Sequence, residues 1–191
     1  MKSLAADFKS LAEIAAVEKE VAALAGAREV RDALKAERTA ERAEESLLEN
    51  LMAAVSDGFV SSARKTAGEL QAKAKSAADP AERARATRVL QSVASFCSET
   101  ARAALRENDY ETAVPLLEMG TVLRPERPQG YVELARVRAQ LGDKKQAIAA
   151  LEAAVAAGFK DATRLEQEKD FDKLRKEPAF VALLARLKTG G

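Results

Sequence analysis

The chain has 191 residues, of which 47% are hydrophobic and only 4% aromatic, with no Trp and no His. Lys plus Arg total 31 and Asp plus Glu total 30, so the formal net charge of +1 gives neither the basic excess of a nucleic-acid binder nor an acidic tail. Without histidine the usual general base, a Ser-His-Asp or Cys-His pair, and the commonest metal ligand are all excluded.

Helix signals run almost without a break from the start of the chain. Leu4, Phe8, Leu11, Ile14, Val17, Val21 and Leu24 recur at steps of three or four, which makes one apolar stripe on an amphipathic helix. Gly26 weakens or ends it. A second stripe comes next, at Val30, Leu34, Leu47, Leu48, Leu51, Met52 and Val55. Between its two halves, Ala36 to Glu45 is almost purely charged residues and Ala. It reads either as a long exposed helix or as a solvated connection between two helices. Asp57-Gly58 is a stop signal, because Gly takes the positive φ of a helix C-terminus.

A third helix is expected from about Val60 to Ser76. Asp79-Pro80 restarts the chain, with Asp79 as cap and Pro80 in the first turn. The next helix carries Val89, Leu90, Val93, Phe96 and Cys97 and runs to about Glu107. Asn108-Asp109, Pro125 with Pro128, Gly142-Asp143 and Gly158 punctuate the rest. No segment alternates with the period of a strand. The expectation is an all-α protein of about seven to nine helices, with an N-terminal arm or bundle over 1–79 and a repeat region over 80–191.

The strongest feature is self-similarity at a spacing of 34 residues. Ala101 and Arg102 pair with Ala135 and Arg136, and Asn108-Asp109 with Gly142-Asp143. Ala113, Val114, Leu117 and Glu118 pair with Ala147, Ile148, Leu151 and Glu152. Within the second unit, Tyr131, Leu134 and Ala135 stand in the first helix, and Ala147, Leu151 and Ala154 set a small–large–small pattern in the second. The first unit, about Ala94 to Glu126, keeps Ala101, Tyr110, Ala113, Leu117 and Pro125. It departs at Thr100 and Gly120, and Pro115 falls within its second helix.

This pattern resembles the tetratricopeptide repeat family, whose unit is a 34-residue helix–turn–helix. The resemblance covers about Ala94 to Phe159. Beyond it, Gly158-Phe159-Lys160-Asp161, Leu165, Asp170-Phe171, Leu174-Arg175, Pro178 and Phe180 are similar to the tail that closes bacterial arrays of this family. A helix is expected from Pro178 to Lys188, ahead of a frayed end at Thr189-Gly190-Gly191. A terminal unit with a polar outer face keeps such an array soluble.

The family resemblance implies a groove lined by the first helix of each unit, and with it a non-catalytic protein or peptide partner. Carried over by position, that groove presents Ser98, Arg102, Leu105 and Arg106 from the first unit, and Gln129, Val132, Arg136 and Gln140 from the second. Arg102 and Arg136 would then accept a carboxylate or acidic peptide through charge-assisted bonds. The competing reading pairs them with local acids such as Glu99 or Glu133. The Lys and Asn pattern of the family's carboxylate clamp is not present.

No cofactor, metal or nucleic-acid partner is expected. Cys97 is the single cysteine, so no intramolecular disulfide forms, and it reads as a small apolar packing residue. No glycine-rich phosphate loop occurs. Glu44-Glu45, and Glu166 with Glu168 and Asp170, sit in charge-balanced helical contexts that read as solvated faces rather than acid–base pairs. Asp7, Lys9 and Glu13 interrupt any secretory signal, and no stretch is apolar enough to insert into a membrane. A lone cysteine fits the cytosol, while a periplasmic setting stays open for a processed or truncated form. Two alternatives to the binding module stand beside it. In one, the helices from Leu4 to Val55 form a coiled-coil or homo-oligomeric arm. In the other, the chain is an accessory domain of a larger enzyme.

Overall fold

The computed structural model describes residues 14–23 and 26–189. The described residues are all-α, with no strand among them. Residues 14–23 are helical. They precede α1 (Arg28–Ser56), α2 (Val60–Ser76), α3 (Pro80–Arg106), α4 (Tyr110–Leu123), α5 (Pro128–Gln140), α6 (Lys144–Ala156) and α7 (Ala162–Gln167). A 3-10 helix (Lys169–Leu174) and α8 (Pro178–Thr189) complete the order. Leu4, Phe8, Leu11 and Leu24 of the first stripe, the residues that interrupt a signal sequence, and Gly190-Gly191 lie outside the described residues.

The charged stretch Ala36–Glu45 belongs to one continuous helix, α1. Its composition of Ala, Glu, Arg and Thr carries no helix breaker, and the strong helix formers among these residues sustain the turn without burial. The chain divides into two units, Met1–Ser46 and Leu47–Gly191. In the first unit the described side chains are almost all exposed, including Ile14 (52%), Val17 (58%), Val21 (58%) and Leu34 (49%). That unit therefore has no core of its own among the described residues.

The second unit holds the core. Leu51 and Val55 at the end of α1 join it, together with residues from every later helix. Helix α2 packs on α3 and α4, α3 on α4, α4 on α5, and α5 on α6. Small residues set the spacing. Ala101, Ala113, Ala135, Ala147 and Ala154 are all buried, so paired helices approach closely. Leu116, Leu151, Leu165 and Leu174 fill the spaces between. Full burial of each such side chain stabilises by roughly 1.5–3 kcal/mol.

Four turns share one geometry. Gly58, Asn108, Gly142 and Gly158 each take a positive φ. In each, the next N–H reaches back to a carbonyl one turn inside the helix: Phe59 to Ala54, Asp109 to Ala104, Asp143 to Arg138 and Phe159 to Ala154, at 2.7–2.9 Å. This closes carbonyls that a helix C-terminus otherwise leaves open. Asn is the residue besides Gly that tolerates this conformation best, which explains Asn108. The carboxylates of Asp109 and Asp143 then cap the next helix, accepting from the N–H groups of Thr112 (3.1 Å) and Gln146 (3.2 Å). The bonds with Thr112 hold the Asp109 carboxyl below its ordinary pKa. Asp79 and Asp161 cap α3 and α7 in the same manner. The 34-residue spacing in sequence is thus a repeated turn and cap in space. It joins the second half of α3 with α4, and α5 with α6.

Candidate functional site: a cavity between α3, α4 and α5

The cavity has a volume of about 330 Å³. Cys97, Ala101 and Leu105 line it from α3, and Leu116, Leu117 and Gly120 from α4. The connection between α4 and α5 contributes Arg124, Glu126 and Arg127, and the first turns of α5 contribute Pro128, Gln129, Gly130 and Glu133. Ser98 and Arg102 complete the α3 wall. The floor is therefore apolar and the rim is charged.

Local sequence explains the opening. Pro125 stiffens a tight turn over 124–127, closed by the Arg127 N–H donating to the Arg124 carbonyl at 3.1 Å, and Pro128 opens α5 in its first turn. Arg127 occupies the cap position of α5, and its side chain makes no capping bond. The positive end of the α5 dipole thus faces the cavity through Pro128, Gln129 and Gly130. Gly120 adds room on the α4 side, since a Cβ there would meet nothing within 4 Å.

Charge accounting singles out the rim. The side chains of Arg102, Arg124 and Arg127 form no hydrogen bond or ion pair among the described residues. Glu126 and Glu133 line the same cavity and offset part of that charge. The Ser98 hydroxyl donates to the Ala94 carbonyl at 2.8 Å, so it turns back onto its own helix.

The groove residues expected from the sequence separate into two groups. Ser98, Arg102, Leu105 and Gln129 come together at the cavity. Arg106 is exposed in the last turn of α3 and does not line it. Val132 is 3% exposed and belongs to the core, because its face of α5 packs inward with Ala135. Arg136 and Gln140 face the C-terminal segment instead. Arg136 Nε donates to Asp170 Oδ2 at 2.7 Å, with Glu168 Oε2 at 3.7 Å, and Gln140 Nε2 donates to the other Asp170 oxygen. Burial works against the Arg136 charge. The Asp170 bond and the negative charges of Asp170, Glu168 and Glu133 outweigh it and hold the guanidinium above its ordinary pKa. Glu133 thus contributes charge alone, and the bonded partners are distant in sequence. Gln129 also accepts from Arg164 at 3.1 Å.

The C-terminal segment is fastened along this side. Phe171 is fully buried, with its ring 6.0 Å from that of Phe180. Lys144 pairs with Glu177 at 2.7 Å and Lys188 with Glu166. Glu166, Glu168 and Asp170 are therefore each committed to a cation. Sequence reasoning missed Arg124 and Arg127. The one local signal for them is the Arg-Pro-Glu-Arg-Pro run over 124–128.

Among the described residues no three His, Cys, Asp or Glu side chains gather as metal ligands. Cys97 is buried, and burial pushes its thiol up to about 11, so it is a neutral thiol on the cavity floor. Among the described residues no helix is long and apolar enough to cross a membrane. No family model, curated protein or solved structure matches the chain.

Proposed function

We propose that the chain is a non-catalytic protein–protein or peptide interaction module of the tetratricopeptide kind, and that its binding surface is the cavity between α3, α4 and α5. One observation carries the reading: three guanidiniums without partners among the described residues surround an apolar floor. The half-buried Arg136 and Arg138 are matched by acids, whereas Arg102 and Arg127 on the cavity rim are exposed and Arg124 is half-buried, so all three stay within reach of an incoming acid. Where this chain places no acid on the guanidinium, a partner can supply one. The matched turns and caps at a spacing of 34 residues support the repeat reading, and the cavity lies where two such helix pairs meet.

The test is capture of a partner from cell lysate by the wild-type chain and by Arg102→Glu, with circular dichroism to confirm that both fold. The expected result is a partner retained by the wild type and lost by the variant. Arg136→Glu is the control: its effect is on stability, because its partners are Asp170 and Glu168. A partner held equally by wild type and Arg102→Glu puts recognition elsewhere and ends this reading of the cavity. A second reading, self-association through the N-terminal unit, is favoured by the exposed Ile14, Val17, Val21 and Leu34. Sedimentation over a concentration series checks it, and a monomer throughout removes it.

A further inference from the structure

The chain contains its own example of what an arginine on these helices accepts. Arg136 stands one repeat after Arg102, on the equivalent helix of the next pair. It is met by the 3-10 segment Lys169–Leu174, which lies against α5. Two adjacent residues of that segment do separate things. Asp170 takes the Arg136 and Gln140 side chains in a two-point contact, and Phe171 buries its ring completely. The unit of recognition is an acid directly before a bulky apolar residue.

The cavity between α3, α4 and α5 has the same two halves, with none of the described residues filling them. Its charged half holds Arg102, Arg124 and Arg127 with Glu126 and Glu133 on the same rim, so three cations against two anions leave one net positive charge for an incoming acid. Its apolar half is Leu105, Leu116 and Leu117. At about 330 Å³ the cavity sits at the small end of the range for ligand clefts, roughly 300–1,000 Å³, so it admits one or two side chains and not a folded surface. Three arginines beside an apolar floor favour a carboxylate held in a planar, two-point manner. They also oppose a purely apolar occupant, whose entry would strip water from the guanidiniums without replacing its hydrogen bonds.

Building on the reading of the cavity as a binding surface, we propose that it recognises an extended acidic peptide segment of a partner protein through an acid–apolar pair, with Arg102, Arg124 and Arg127 holding the acid and the leucine floor holding the apolar side chain. Arg124 and Arg127 are then specificity residues for the acid, and the α4–α5 connection is part of the recognition surface rather than a spacer.

The experiment uses the full chain and a blocked synthetic peptide with the sequence of residues 168–174, Glu-Lys-Asp-Phe-Asp-Lys-Leu, labelled for fluorescence anisotropy. The expected result is saturable binding that weakens about tenfold or more with Asp170→Asn in the peptide, and likewise with Phe171→Ala in the peptide. Arg102→Glu and Arg124→Glu in the protein weaken it by a similar factor, while Gln146→Ala at an exposed position of α6 leaves it unchanged. Binding that is insensitive to Arg102→Glu overturns the proposal, since the peptide would then be displacing its own counterpart beside Arg136. Binding abolished by inorganic phosphate yet indifferent to Phe171→Ala overturns it too, because charge alone would be recognised. If the peptide does not bind while partner capture still depends on Arg102, the surface stands and the acid–apolar chemistry falls.

Discussion

At the C-terminal end of the repeat region, Arg136 and Gln140 of α5 close on Asp170, and Phe171 seals the contact in the core. One repeat earlier, Arg102, Arg124 and Arg127 surround about 330 Å³ of open space, with no acid among the described residues bonded to any of them. The sequence makes the Arg102 and Arg136 positions equivalent, and the fold does not. The difference lies in the connection that leaves each helix pair. After α6 the chain turns at Gly158 and brings an acidic, aromatic segment back onto α5. After α4 a single tight turn over 124–127, closed by the Arg127 N–H on the Arg124 carbonyl, leads directly into the next helix and brings no further segment back. A repeated helix pair thus acts as cap-acceptor in one place and as an open cleft in the other, with the connection deciding which.

Several measurements sharpen or break that contrast. The largest effect is expected for Phe171→Ala, at about 3–5 kcal/mol in urea denaturation, from lost burial plus the cavity left behind. A loss under about 1 kcal/mol would mean that the C-terminal segment is not part of the cooperative unit. Next, Arg136→Ala is expected to cost about 1–2 kcal/mol by leaving Asp170 and Glu168 without their cation. Arg102→Ala is expected to stay within about 0.5 kcal/mol of wild type. Equal costs for the two would erase the distinction between the filled and open sides.

A pH-dependent effect comes from Cys97. Its folded pKa of about 11 lies above the ordinary value near 9, so the unfolded chain loses the proton first. Between those values the unfolded state binds fewer protons at this thiol, so the Cys97 contribution to stability is fully present below about 9 and is lost as pH rises to about 11. In the folded protein the thiol should resist iodoacetamide near pH 8, and rapid alkylation there would show that the cavity floor is not closed. Gly120→Ala is expected to stabilise by roughly 0.5–1 kcal/mol, because the helix position is open and a methyl meets nothing within 4 Å. Destabilisation would show that α4 has no room for a methyl beside the cavity.

Much of the fold was legible in the sequence because its signals are local. Asp79-Pro80, Asn108-Asp109 and Gly142-Asp143 each combine a turn residue with a cap, and α3, α4 and α6 begin at those signals. The residues of Ala36–Glu45 do not decide between helix and connection, since an exposed helix has no apolar period to read. The site was legible by half. Ser98, Arg102, Leu105 and Gln129 reach it from their places on α3 and α5. The repeat position of Val132 predicts a groove residue, whereas its apolar side chain packs inward with Ala135. Arg136 and Gln140 are drawn to Asp170, across 34 and 30 residues, by a 3-10 turn that has no periodic signature. Arg124 and Arg127 sit in a connection, where helical spacing carries no information.

The order of the lining residues has a consequence for synthesis. Every wall of the open cavity comes from residues between Cys97 and Glu133, and its contacts join near neighbours along the chain. Such short-range contacts close quickly, and a chain leaving the ribosome folds from its N-terminal side. The cleft can therefore assemble while the C-terminal segment that fastens α5, from Arg164 to Lys188, is still unmade. A nascent chain would briefly expose two arginine clefts, one of which the segment around Asp170 then closes.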